Sequence, residues 1–303
     1  MPNNLKKILM TGSTGFIASL MLPRFREKYN MTLLDTRDKN SDGDLTSGIH
    51  VVDLHDPDRS KYSRFFKDIN TVVHLAYMRR SGPALEHFEI EKRNIEMAYN
   101  VLRSAYESNV QRVVIASSNH AADWYEHNLI HNNKKDILSP YELPLSDNFY
   151  GWAKASYEHL AFVFATGALG EGGDGPFITT NNILQGNSGT SRKMEVVMVR
   201  IGAPRELNLD EYIGKPAIFK RALGAYISSR DLTQLFEKSI DVGHIKNEYG
   251  IPWQVIYGIS NNTRAFWSIS NAREIFGYDP QDDSEMIFSE HIKKLLVNED
   301  KLR

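Results

Sequence analysis

A chain of 303 residues with 36 Lys+Arg, 38 Asp+Glu and no Cys has the length of one large domain or two unequal ones. The missing cysteines exclude disulfides, a thiolate nucleophile and Cys-ligated zinc or iron–sulfur centres, and a formal net charge of −2 offers no basic excess for nucleic acid or an anionic membrane. No apolar run reaches the ~18 residues of a membrane span, and the stretch after Lys6 and Lys7 is broken at Thr11, Gly12 and Ser13, too short for a signal-peptide core; a soluble cytoplasmic protein is expected.

Short β-rich runs alternate with helical patterns. Lys6–Thr11, Met31–Asp35, Ile49–Leu54, Asn70–Ala76, Gln111–Ser117 and Glu195–Gly202 read as strands, several of them apolar throughout, as strands buried on both sheet faces should be. Phe16–Tyr29, Ser60–Phe66, Ala84–Ser108 and Phe149–Thr166 read as helices. In the third, Leu85, Phe88, Ile95, Ala98, Tyr99 and Leu102 mark one face. The alternation predicts an α/β fold with a Rossmann-like doubly wound parallel sheet.

After Gly202 the rhythm loosens. Asp231–Ile240, Ile269–Phe276 and Met286–Leu296 read as helices and Trp253–Ser260 as one more strand. The expected division is a nucleotide-binding domain, residues 1–202, and a smaller C-terminal α/β substrate lobe, residues 203–303, some of whose strands and helices return to the first domain. Between Gly167 and Gly189 lie 7 of the 20 glycines. This insertion, bounded at 167–193, is either a surface loop or a lid with Arg192 or Lys193 turned inward.

The first strand runs into Gly12-x-x-Gly15-x-x-Ala18, which opens a helix. Gly12 permits the tight turn, Gly15 lets backbone approach a pyrophosphate, and Ala18 lets the helix pack close to the strand. Thr14, Phe16 and Ile17 belong to the same loop. Asp35 ends the second strand twenty residues past Gly15, placed to bond the adenine ribose hydroxyls. A 2′-phosphate would meet that carboxylate, which favours NAD over NADP; Arg37 argues the other way.

Past the fifth strand comes Ala116–His120, then Tyr150-Gly-Trp-Ala-Lys154. A spacing of four puts phenol and ammonium on one helix face. A phenol with a pKa of about 10 is a poor base near neutrality, and a neighbouring cation favours its ionised form. Tyr150 could then take a proton from a substrate hydroxyl that Ser118 also holds. His120, at a strand's carboxyl end, is expected in the pocket. Arg200 is expected to be structural, bridging the lobes; Phe266 and Trp267 suit either a pocket wall or the core. His127 and His131 have a metal-like spacing, but the expected chemistry needs no metal.

These motifs make the chain similar to the extended short-chain dehydrogenase/reductases, the NAD-dependent epimerase/dehydratase superfamily. The stretches VVIASSNHA, YGWAK, VRIG, SSRDLTQLFEKSI and VIYGISNNTRAFWSISNAREIFGYDPQDD resemble in particular uronate dehydrogenases and archaeal NAD-dependent glucose-6-phosphate dehydrogenases. The resemblance implies NAD as cofactor and oxidation of a sugar at its anomeric carbon to a lactone, with Ser118, Tyr150 and Lys154 as the catalytic set. It implies that Asn119 and His120 bond sugar hydroxyls, that Asp53, Leu54, Leu75 and Ala76 line the cofactor site, and that Asn94 backs the lysine. Arg221, seven residues before Ser228, falls where those families bind the substrate's anionic group. It also implies a possible homodimer through the Ala84–Ser108 and Phe149–Thr166 helices.

The chain departs from the pattern at Ala203, where a substrate-binding serine stands in uronate dehydrogenases, and at Arg79 and Arg80, where smaller uncharged residues stand. Arg79 in the pocket would suit a phosphate; the pair would otherwise be a solvated loop. The substrate expected is an anionic sugar, a hexose phosphate or uronic acid. The alternatives are an epimerase or reductase of a nucleotide-linked sugar, and a sensor that binds NAD without turnover.

Overall fold

Uninterrupted apolar runs demand a sheet covered on both faces, and Ile8, Leu9, Met10, Val113, Val114, Ile115 and Val196–Val199 are indeed fully buried. A computed structural model describes residues 5–169 and 193–297. Its strands are β1 (Lys7–Thr11), β2 (Asn30–Asp35), β3 (Ile49–Val51), β4 (Thr71–His74), β5 (Arg112–Ser118), β6 (Glu195–Ile201) and β7 (Trp253–Gly258). They form one sheet in the order β3-β2-β1-β4-β5-β6-β7, every pairing parallel. This is the expected Rossmann-like α/β fold. The order reverses between β1 and β4, which opens a crevice at the strands' carboxyl ends.

The main helices are α1 (Phe16–Lys28), α2 (Ser60–Ser63), α3 (His87–Glu107), α4 (Asp123–Tyr125), α5 (Phe149–Ala165), α6 (Pro216–Ala225), α7 (Ser229–Asp241) and α8 (Ser270–Phe276). Met21 and Phe25 of α1, Leu232 and Phe236 of α7 and Phe276 of α8 cover one sheet face. Ala98, Val101 and Leu102 of α3 with Tyr157 and Ala161 of α5 cover the other. Although β7, α7 and α8 all follow Gly202, they complete the sheet and its cover. A separate cluster holds Leu207, Tyr212, Phe219, Leu223, Tyr226 and Phe288.

Several elements are shorter than their patterns suggest. The third strand stops at Val51 rather than Leu54, because Asp53 turns the chain by accepting from the His55 N–H at 2.9 Å. Ser60–Phe66 is one α-turn followed by a 3₁₀ turn. Met286–Leu296 is broken into Ser284–Ile287, Ser289–Ile292 and a π turn from Lys293. Helix α6, not foreseen, starts on Pro216, whose fixed φ suits a first turn. Most of the glycine-rich insertion, residues 170–192, and with it the expected loop or lid, lies outside the described residues.

Candidate active site

The fingerprint loop follows from one backbone constraint. Gly12 sits at φ +69°, and a side chain there would come within 2.6 Å of the Ala76 nitrogen. Only glycine lets β1 turn this close to the end of β4. The loop is then tied to β2: the Thr14 N–H and hydroxyl both donate to Asp35 Oδ2 at 2.9 Å. Beside it lies a groove of about 650 Å³ lined by Gly12, Thr14, Gly15, Phe16, Ile17, Asp35, Asp53, Leu54, Leu75 and Ala76. Those ten expected cofactor residues therefore converge on one crevice, and α1 points its N-terminus toward them with Gly15 as its cap residue. Arg79, expected on the substrate side, lines this groove instead. Asn94, expected behind Lys154, holds the Met78 backbone: Nδ2 donates to the carbonyl at 3.0 Å and Oδ1 accepts from the N–H at 2.8 Å.

Helix α5 delivers Tyr150 and Lys154 to the end of β5. Asn148 caps it by accepting from the Gly151 N–H at 3.0 Å, a contact worth about 1 kcal/mol. Gly151 is required, since any side chain there would strike the His120 carbonyl and the Ser146 hydroxyl. Ser118 ends β5 buried, and its Oγ accepts from the His120 N–H at 3.2 Å. Burial raises the Tyr150 phenol, while the Ser118 hydroxyl and the Arg80 charge pull it back. Lys154 is buried; its Nζ donates to the Ala116 carbonyl at 2.9 Å and lies 5.8 Å from the Tyr150 ring centre. Burial pushes its ammonium down to about 8, against the pull of Glu91 and Glu158.

Around these lies a shell that sequence reasoning missed. Arg80 stacks over the Tyr150 ring at 4.4 Å and reaches Glu91 at 3.5 Å. Glu91, fully buried, accepts from the Tyr77 hydroxyl at 2.6 Å, and the Tyr77 ring packs edge-on against Tyr150 at 5.5 Å. The available signal was a lone carboxylate on the apolar face of α3, which needs a partner when buried. His74 bonds Thr11 Oγ1 through Nδ1 at 2.7 Å; burial, then the Lys154 charge, holds it down to about 3.

The polar segment after Ser118 forms α4 and a π turn, Glu126–Ile130. Asp123 Oδ2 faces His120 Nδ1 at 2.6 Å and accepts from Asn148 Nδ2 at 2.9 Å, and the His120 ring lies 5.5 Å from that of Tyr150. Asn119 is buried beside them, its Oδ1 3.3 Å from the Ser118 hydroxyl. Arg221, expected to await an anion, is already paired with Glu126. His127 and His131 go to different carboxylates, Asp147 and Glu126. Arg200 bridges α5 and β7 rather than two lobes: it grips Glu158 twice, at 2.8 and 2.7 Å, and donates to the Tyr257 hydroxyl at 2.9 Å. Trp267 is buried against Tyr257.

The sequence matches the NAD dependent epimerase/dehydratase family over residues 8–168, more than half the chain. The chain belongs to this family. It is an enzyme with NAD as cofactor, and the groove fits that group: a glycine-cradled turn, a helix N-terminus and a carboxylate at the end of β2. The chain is 27% identical over 289 residues to the NAD-dependent glucose-6-phosphate dehydrogenase of Haloferax volcanii, covering 91% of this chain and 94% of that one. It is 25% identical over 287 residues to the uronate dehydrogenase of Pseudomonas syringae pv. tomato, covering 92% and 83%. The crystal structure of uronate dehydrogenase from Agrobacterium tumefaciens shares the fold at a TM-score of 0.67, 22% identical and covering 95% and 89%.

Proposed function

We propose that this family member oxidises a free sugar at its anomeric carbon to a lactone. The observation that carries the proposal is the Tyr150 phenol, set between Ser118 and Lys154 beside the fingerprint groove. The names of the relatives from Haloferax and Pseudomonas support a sugar dehydrogenase. Tyr150 takes the proton of the anomeric hydroxyl, and Ser118 holds the same oxygen. The cation of Lys154 and that of Arg80 favour the phenolate. The groove lined by Gly12, Gly15 and Asp35 would hold NAD, which would supply the acceptor for the hydride of that carbon. Asp123 orients His120 so that its other ring nitrogen can bond a sugar hydroxyl. Arg221 is the residue on which an acidic substrate, a uronic acid or hexose phosphate, would depend.

The test is NADH formation across a panel of aldoses, uronic acids and hexose phosphates. Growth of NADH absorbance with at least one free sugar is expected. An epimerase of nucleotide-linked sugars would return its hydride and accumulate none. Tyr150→Phe should lower turnover by about 10³-fold or more with NADH affinity retained; an unchanged rate would refute the mechanism.

We infer a homodimer formed through α3 and α5. Phe88, Tyr99, Trp152, Phe162 and Val163 expose apolar surface on these two helices, and Phe88 stacks on Trp152 at 5.4 Å. A monomeric mass by light scattering would refute it.

A further inference from the structure

Glu126 is 2% exposed. Its Oε1 accepts from Arg221 Nε at 2.7 Å and its Oε2 from Arg221 Nη2 at 3.2 Å, the two-pronged geometry in which guanidinium and carboxylate bind best. His131 Nε2 lies 3.1 Å from the same Oε1. Burial would raise the Glu126 carboxyl, yet the bonds from Arg221 and His131 hold it below the usual range. The Arg221 guanidinium also packs over the Trp267 ring at 5.6 Å. Three residues before Glu126 stands Asp123, which holds His120 against Tyr150. One turn thus presents two carboxylates, one serving the reacting groups and one occupying the arginine.

The pairing changes what Arg221 can bind. Its charge is matched locally by that of Glu126. A substrate carboxylate or phosphate at the outer edge of Arg221 would meet a cation already neutralised and would rest beside a buried carboxylate with little water to screen the repulsion. A hydroxyl meets neither penalty. It can accept from Arg221 Nη1, which lies outside the pair, and donate to a Glu126 oxygen.

We infer that Glu126 is the specificity-determining residue of the sugar site, and that the site prefers an uncharged aldose to a uronic acid or sugar phosphate. The inference rests on the sugar-oxidising reading. It corrects the charge of the expected substrate and leaves the reaction unchanged.

Matched substrates test it: D-galactose against D-galacturonate, and D-glucose against D-glucuronate and glucose 6-phosphate, with NAD, for the wild-type chain and Glu126→Gln. The neutral sugar should have a kcat/KM at least about tenfold higher in the wild type. In Glu126→Gln the ratio should move by about tenfold or more toward the acid, chiefly through the KM of the acid. A wild-type preference for the acid or phosphate, or an unmoved ratio in a folded Glu126→Gln, overturns the inference; if that variant fails to fold, the wild-type ratio decides. If no sugar reduces NAD, the oxidation reading fails. The charge preference is then read from thermal unfolding of the NADH-loaded wild type. Greater protection by galactose than by galacturonate supports the inference; greater protection by galacturonate, or none by either, overturns it.

Discussion

The Arg80 guanidinium lies 4.4 Å over the Tyr150 ring and is held there by Glu91, 3.5 Å away. A cation over a phenol stabilises the ring's negative face and, more strongly, its phenolate. Two cations, Arg80 and Lys154, therefore act on one tyrosine, and the arginine cannot lose its charge. Arg80→Met should raise the pH at which turnover reaches half its maximum and lower kcat at pH 7 by about tenfold, the equivalent of one pKa unit. NADH affinity should stay within about twofold by fluorescence titration, the scatter expected of a surface change. A pH profile that does not move would show that Arg80 only packs.

The buried ammonium of Lys154 costs stability. Burial lowers its ammonium from 10.5 to about 8. Because the folded value lies below the unfolded one, the penalty for a buried cation is complete below pH 8 and fades as the pH rises from there toward 10.5. Lys154→Met should raise the melting temperature at pH 7, by up to about 3 kcal/mol of stability less the lost bond to the Ala116 carbonyl. Turnover should fall by about 10²-fold or more. Calorimetry and NADH assays on one preparation check both signs.

Asp35 lines the groove at the end of β2, where the fingerprint places the adenine ribose of a bound cofactor. A 2′-phosphate there would face its carboxylate, so kcat/KM with NAD should exceed that with NADP by about a hundredfold, near 2.7 kcal/mol. Asp35→Asn should narrow the ratio, aided by Arg37, whose Nε lies 3.4 Å from Thr14 Oγ1. Paired assays with the two cofactors give the answer; a wild-type preference for NADP would contradict the role given to Asp35.

His74 makes the fold acid-sensitive. Its imidazole falls from 6.5 to about 3 in the folded chain, first through burial and then through Lys154. The unfolded chain takes up a proton between those values that the folded one refuses, so stability falls as the pH drops through this window. From pH 7 to 5 the wild type should lose about 2 kcal/mol more than His74→Gln, measured by urea unfolding.

What the sequence determined by itself was local. Strand–helix alternation, the Gly12–Gly15–Ala18 turn and the four-residue spacing of Tyr150 and Lys154 are patterns written in neighbouring positions. That is why the fold class and the convergence of the groove residues were legible. Element ends were less so, because a single side chain such as Asp53 can turn the chain before its apolar pattern runs out. What only the tertiary structure decided was which charges meet. Glu126 and Arg221 are 95 positions apart, and no spacing rule links a polar turn after β5 to the face of α6. Glu91 lies on the apolar face of α3, but that Tyr77 and Arg80 come to it from beyond the end of β4 is set by packing. A charge's chemistry depends on its partner and its burial, and both are set by how distant segments pack.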